Sequence, residues 1–168
     1  MKENLYTSVF RLVMLLLFQV FLLNFIKLYG VVTPYIYPLG ILLLPFETPR
    51  WLLMVLAFFA GLTIDMFTDT PGFHASAMVI MAFARQYVVS VNRPVGDYEP
   101  SHKPTIGSLG FYWFIFYAGI LVALHHFCFY FIEVYSFHYI PITLLKVGAG
   151  SLASLMLMLL HEFLFYKR

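Results

Sequence analysis

Apolar residues fall into six long runs, at 12–28, 31–46, 51–67, 73–91, 111–132 and 141–165. A helical crossing of a bilayer takes roughly 20 mostly apolar residues, so the pattern predicts six transmembrane helices in one transmembrane domain over 1–168. Turn-forming residues mark the joints: Gly30, the stretch from Pro45 to Pro49, Pro71 with Gly72, a polar run at 92–110, and 136–141. The run at 31–46 is short and interrupted by Pro34, Pro38 and Gly40. Membranes tolerate such a kinked helix where neighbours satisfy the freed backbone groups, and the pattern admits either a full crossing or a re-entrant segment.

Composition supports the bilayer as solvent. The chain is 62% hydrophobic and 11% charged, with a mean hydropathy of +0.86, whereas soluble domains carry about 25% charged residues. So small a globule would have too little polar surface to cover itself, and an aromatic share of 20% excludes disorder. The basic residues then set an orientation, because Lys and Arg collect in short cytoplasmic loops. With six spans and both termini cytoplasmic, Lys2, Arg11, Arg50, Arg85, Arg93, Lys103, Lys167 and Arg168 lie inside, and only Lys27 and Lys146 outside. If 31–46 did not cross, the best division would be seven against three, so the charge rule favours six crossings.

The first run follows Lys2 and Arg11 as a secretory signal would, but no small-residue cleavage site follows its core, and it is read as a retained helix. Cys128 stands alone inside a span, which leaves no intrachain disulfide. A net charge of +2, dispersed among the loops, implies no nucleic-acid partner. The run 92–110 has no apolar periodicity and reads as a cytoplasmic loop able to dock a partner.

Ionisable residues in spans are costly and mark candidate sites. The richest group lies at the third joint, Gly61-Leu62-Thr63-Ile64-Asp65-Met66-Phe67-Thr68-Asp69-Thr70-Pro71-Gly72-Phe73-His74. Asp65 and Asp69 are four apart, on one helix face if the helix persists, and with His74 they raise the question of a divalent ion. A helix end near Phe67 instead puts Asp69 in the turn, and hard cations recruit more oxygen ligands than these. The favoured reading is structural: Asp69 and Thr70 form the turn before Pro71, and Asp65 accepts hydrogen bonds from a neighbouring helix, with no metal. Neither His125 with His126 nor His161 with Glu162 forms a two-ligand face, since helical neighbours point about 100° apart. Glu133 is placed at the interface. There is no nucleophile elbow, P-loop or Ser-x-x-Lys, and Cys128 has no activating neighbour. The chain is therefore expected to be non-enzymatic, without catalytic residues or cofactor.

What the spans do carry is packing chemistry. Ala57 with Gly61, Ala149 with Ala153, and Gly150 with Ser154 are small-xxx-small pairs, and Gly148 extends the last group. Such pairs let helix backbones approach closely, within the chain or against a partner. Gln19 and Asn24 are candidates for interhelical hydrogen bonds, and Tyr35, Tyr37, Trp51, Trp113 and Tyr166 for the aromatic belts at the interfaces.

The runs Leu44-Pro45-Phe46 to Pro49-Arg50-Trp51, Phe59-Ala60-Gly61-Leu62-Thr63-Ile64-Asp65 and Pro71-Gly72-Phe73-His74-Ala75 resemble the rod-shape-determining membrane protein family MreD. Chain size and hydrophobic spacing are similar over the whole length. The resemblance implies an all-α, six-helix bundle like the substrate-binding subunits of energy-coupling-factor vitamin transporters. It also implies a non-enzymatic scaffold of the bacterial inner (cytoplasmic) membrane, in the cell-elongation machinery. Its partners would be MreC, the actin-like MreB, and the transglycosylase and transpeptidase that build lateral peptidoglycan, all within the lipid bilayer. Carried over by residue, Gly61 would permit tight helix contact, Asp65 would anchor the hairpin, and Gly72 with His74 would shape its turn. The competing reading is a small-molecule (vitamin-like) binding membrane subunit of a transporter, for which the outer side offers His74, Glu133, His138 and the Asp65 to Asp69 corner.

Overall fold

The structure is a computed structural model that describes residues 5–27, 32–94, 96–99, 102–134 and 140–165. These residues form helices and no strand. In chain order they are α1 (Leu5–Phe21), followed by a 3-10 turn at Leu23–Phe25, α2 (Pro38–Leu42), α3 (Arg50–Thr68), α4 (Phe73–Val91), α5 (Ile106–Leu109), α6 (Phe111–Val134) and α7 (Ile140–Leu164). Lys2, His138, Tyr166, Lys167, Arg168 and the Gly30 joint lie outside the described residues.

Among the described residues, four helical stretches are long and apolar enough to cross a membrane: Tyr6–Phe25, Arg50–Thr68, Phe111–Val134 and Ile140–Leu164. Their outward faces are greasy, with Phe10 67%, Met66 75% and Leu145 71% exposed. Apolar area on that scale is not left facing water, and the protein is membrane-embedded. α4 is as long as α3 but carries His74, Arg85 and Gln86, and it falls below the same apolarity.

Helices α3 with α4, α4 with α6, and α6 with α7 pack as successive neighbours, while α1 lies against α2 and α3. The short α2 touches α1, α3, α4 and α6. It is the axis of the bundle. Every residue from Pro34 to Leu44 is buried, which explains why this segment is apolar all round rather than on one stripe.

The run 31–46 is therefore not one continuous helix in its described part. Pro34 lacks an N–H and disfavours helical backbone at the residue before it, and the chain stays irregular up to Ile36. Helix starts only at Pro38, a first-turn position where the missing N–H costs nothing. Non-helical backbone at membrane depth must find its hydrogen bonds in protein. Gln19 of α1 supplies two: its Oε1 accepts the Ile36 N–H at 2.9 Å and its Nε2 donates to the Pro34 carbonyl at 3.3 Å. Nε2 also donates to Asn24 Oδ1 at 2.9 Å. Ser154 Oγ of α7 accepts the Tyr35 N–H at 2.8 Å. Gly40 seats α1, because a Cβ there would stand 3.0 Å from Leu12 Cα. Gln19→Leu should accordingly leave a buried N–H and carbonyl unpaired, at roughly 1–3 kcal/mol each. Thermal melting in detergent should fall by several degrees, and an unchanged midpoint would show that Gln19 does not hold the segment.

One sequence expectation needs correction. Tyr35, Tyr37 and Trp113 do not sit in interfacial belts: they are 6%, 0% and 8% exposed, whereas Trp51 is 63% exposed. Their hydroxyl and indole groups find partners inside the bundle, which removes the need for interfacial water. The described part of the run 92–110 contains α5 and is tied to the bundle. Tyr98 donates to the Val89 and Asn92 carbonyls at 2.9 and 3.0 Å, and Trp113 Nε1 donates to the Asn92 carbonyl at 2.7 Å. α5 is tied down at its start, where Glu162 Oε2 of α7 accepts the Ile106 N–H at 3.1 Å.

Candidate functional site at the α3–α4 hairpin

α3 ends where Asp69 turns left-handed at φ 54°, donating its N–H to the Asp65 carbonyl. Gly72, at φ 86°, then redirects the chain into α4. A left-handed residue at each corner fits the requirement of so tight a joint, with glycine at the less permissive one.

Asp65 lies one helical turn before this corner and is 3% exposed. Its Oδ1 accepts the His74 N–H at 3.0 Å, its Oδ2 accepts the Ala75 N–H at 2.9 Å, and Thr70 donates its hydroxyl to Oδ1 at 2.5 Å. The first N–H groups of a helix lack intrahelical partners and attract negative charge. Here the carboxylate of α3 caps α4, which has no side-chain cap of its own. Gly61, one turn earlier on α3, makes the reach possible. A Cβ at Gly61 would lie 2.6 Å from both the Ala75 nitrogen and the His74 carbonyl oxygen. The glycine brings the two backbones together, and the carboxylate four residues on fastens them at the same two residues.

Asp69 and Pro71 are exposed at the corner, and Ala57 is buried. The two aspartates therefore do not act as a pair: one is a buried cap, the other the end of a helix. Among the described residues no three His, Cys, Asp or Glu side chains gather as metal donors.

Below the cap is a polar core. Tyr37 Oη lies 2.9 Å from His74 Nδ1 and 2.8 Å from His125 Nε2, and the His74 ring stacks on Phe129 at 4.2 Å. His125 Nδ1 is buried without a partner. A proton there would be an orphaned donor, the rarer defect, so the network places it on Nε2. His125 Nε2–H then donates to Tyr37, and Tyr37 O–H donates to His74 Nδ1. His126 Nδ1 faces the Val122 carbonyl at 2.9 Å, which can only accept. Its Nε2 accepts from the Ser154 hydroxyl at 3.2 Å.

The small residues of α7 divide between two faces. Gly150 and Ser154 are buried against His126, where a Cβ at Gly150 would stand 2.7 Å from His126 Cδ2. Gly148 and Ala149 are exposed and Ala153 is half-buried. At the end of α6, Glu133 pairs with Lys146 of α7 at 4.0 Å. A groove of about 450 Å³ opens on the outside of the hairpin, lined by Leu62, Met66, Thr70, Pro71 and Ser76 among others.

Sequence reasoning overlooked Arg85. It is 1% exposed, although its place inside a run of apolar residues marked it as costly. Its Nε donates to Tyr117 Oη at 2.7 Å, and its Nη2 donates to the Leu42 carbonyl at 3.4 Å and to the Leu44 carbonyl. Tyr117 in turn donates to the Leu42 carbonyl at 2.8 Å. The guanidinium sits at the carbonyl end of α2, where a helix terminus favours a cation. Comparison of the chain with protein families, with curated proteins and with solved structures gives no match in any of the three.

Proposed function

We propose that this protein is a non-enzymatic membrane scaffold of the bacterial cell-elongation complex, an MreD-like subunit of the inner membrane that binds MreC through its membrane helices. The observation that carries this reading is the junction of Gly61, Asp65, His74 and Ala75. Residues from two of the three runs that carry the family resemblance serve one joint: close approach, cap, and turn. Such a joint fixes the relative tilt of α3 and α4, as a subunit with a lateral docking face requires. In this reading the bundle makes six crossings with both termini cytoplasmic, like the vitamin-binding transporter subunits. α4 supplies the fifth crossing, since its 19 residues rise about 1.5 Å each and span most of a bilayer core. The buried segment through α2 supplies the sixth, and MreB and the peptidoglycan synthases join through MreC.

Asp65→Ala is the direct test. It removes the cap and should weaken co-purification with MreC and round the cells, while the protein still inserts in the membrane. If the variant binds MreC at the wild-type level and the cells stay rod-shaped, the hairpin does not organise this interface. A vitamin-like ligand is the second reading, favoured by the groove of about 450 Å³, a volume in the range of small-molecule sites. That groove is open, and besides the committed Asp65 its polar side chains are Thr70 and Ser76.

A further inference from the structure

The segment from Tyr37 to Phe46, buried as far as Leu44, joins two polar clusters at opposite ends of the bundle. At the hairpin end, Asp65 holds the His74 N–H, and His74 holds the Tyr37 hydroxyl. At the other end, Arg85 and Tyr117 hold the carbonyls of Leu42 and Leu44. The connection continues into the 92–110 loop. Tyr117 stacks on Trp113 at 4.7 Å, Phe46 packs on Tyr98 at 4.7 Å, and Trp113 Nε1 bonds both the Asn92 carbonyl and Tyr98 Oη. Between these ends there is no slack, because Tyr37, Leu39, Ile41, Leu42 and Leu44 are each 0% exposed.

The geometry points to a coupling rod: the segment 37–46 transmits displacement of the α3–α4 hairpin through the bundle to the 92–110 loop. A close-packed interior passes strain on rather than absorbing it locally. The rod has little room to move, since it is enclosed by neighbouring helices and both its ends are bonded to their side chains. The element it acts on is the loop, whose Tyr98 packs on Phe46 and bonds Trp113. A partner bound at the hairpin would thereby alter what the loop presents on the opposite face of the membrane, and by linkage a partner on the loop would alter the hairpin. This inference rests on the contacts and on α4 crossing the membrane, and does not need the family proposed above.

Hydrogen exchange of the full chain in lipid nanodiscs tests it, read on peptides covering 96–99 and 102–109. Tyr37→Phe deletes the hydroxyl that links the rod to His74 and His125, at the end remote from the loop. Exchange of the loop amides should then quicken roughly 2- to 30-fold, the range of coupling that packed networks carry, while α7 amides keep their wild-type rates. In a Tyr117→Phe background, where the Leu42 carbonyl has lost the Tyr117 hydroxyl and keeps only the 3.4 Å bond from Arg85, the same change should have a markedly smaller effect on the loop. Unchanged loop exchange in Tyr37→Phe would overturn the rod. So would equal acceleration in every helix, which would mean general loosening.

Discussion

Gly61→Leu should destabilise this protein more than any other single change at the hairpin. The side chain's first carbon would lie 2.6 Å from the Ala75 nitrogen and the His74 carbonyl oxygen, and backbone atoms cannot rotate away as a side chain can. α3 and α4 must separate, and the Asp65 oxygens, now 3.0 and 2.9 Å from the His74 and Ala75 nitrogens, lose their bonds with them. Overpacking costs roughly 1–3 kcal/mol, and hydrogen bonds to a charged group contribute about 1.5–3 kcal/mol each. The expected loss is thus at least about 4 kcal/mol when these terms act together. Because the clash lies at Cβ, Gly61→Ala should lose most of the same stability, which distinguishes this site from one that merely dislikes bulk. Adding Asp65→Ala to Gly61→Leu should cost little more, since residues in one network are not additive. Melting curves of the four proteins in detergent decide the matter, and a Gly61→Ala midpoint equal to wild type would refute the close approach.

Arg85→Ala should have the next largest effect, at the other end of the buried segment. It empties the volume of the largest fully buried side chain and leaves the Leu44 carbonyl without its guanidinium donor, while Leu42 keeps the Tyr117 hydroxyl. A large-to-small core change costs roughly 2–5 kcal/mol, and an orphaned buried acceptor about 1–3 kcal/mol more. Relief from burying the charge offsets part of this. Arg85→Met, which keeps the stem and deletes the charge, should recover part of the loss. SDS titration of the three proteins reads the order directly. A methionine variant as stable as wild type would show that Arg85 does not seat α2.

Much of the bundle was legible in the chain, for a reason that also explains the failures. Hydropathy located α3, α4, α6 and α7 to within two or three residues, because each presents one broad apolar face to lipid over a length the bilayer dictates. α1 starts earlier than its apolar run, at Leu5 rather than at 12, and carries Arg11 within the helix. The run 31–46 misled as a helix because hydropathy counts side chains, whereas Pro34 and Pro38 decide where backbone N–H groups are missing. The hairpin could be read from local spacing, with Gly61 and Asp65 one turn apart. The polar core could not. Tyr37, His74 and His125 are separated by 37 and 88 positions from first to second and first to third, and no local pattern brings them together. Arg85 was counted only as a charge for topology, though a cation in the middle of an apolar run asks where its donors go.

Affinity purification of the tagged protein from its native membrane, followed by native mass spectrometry of the detergent-purified complex, most directly tests whether this bundle works as a scaffold. The expected species is the chain bound to a single-span partner of the MreC kind. Recovery of the chain alone with a retained vitamin-sized molecule would contradict the scaffold and establish the ligand-binding alternative.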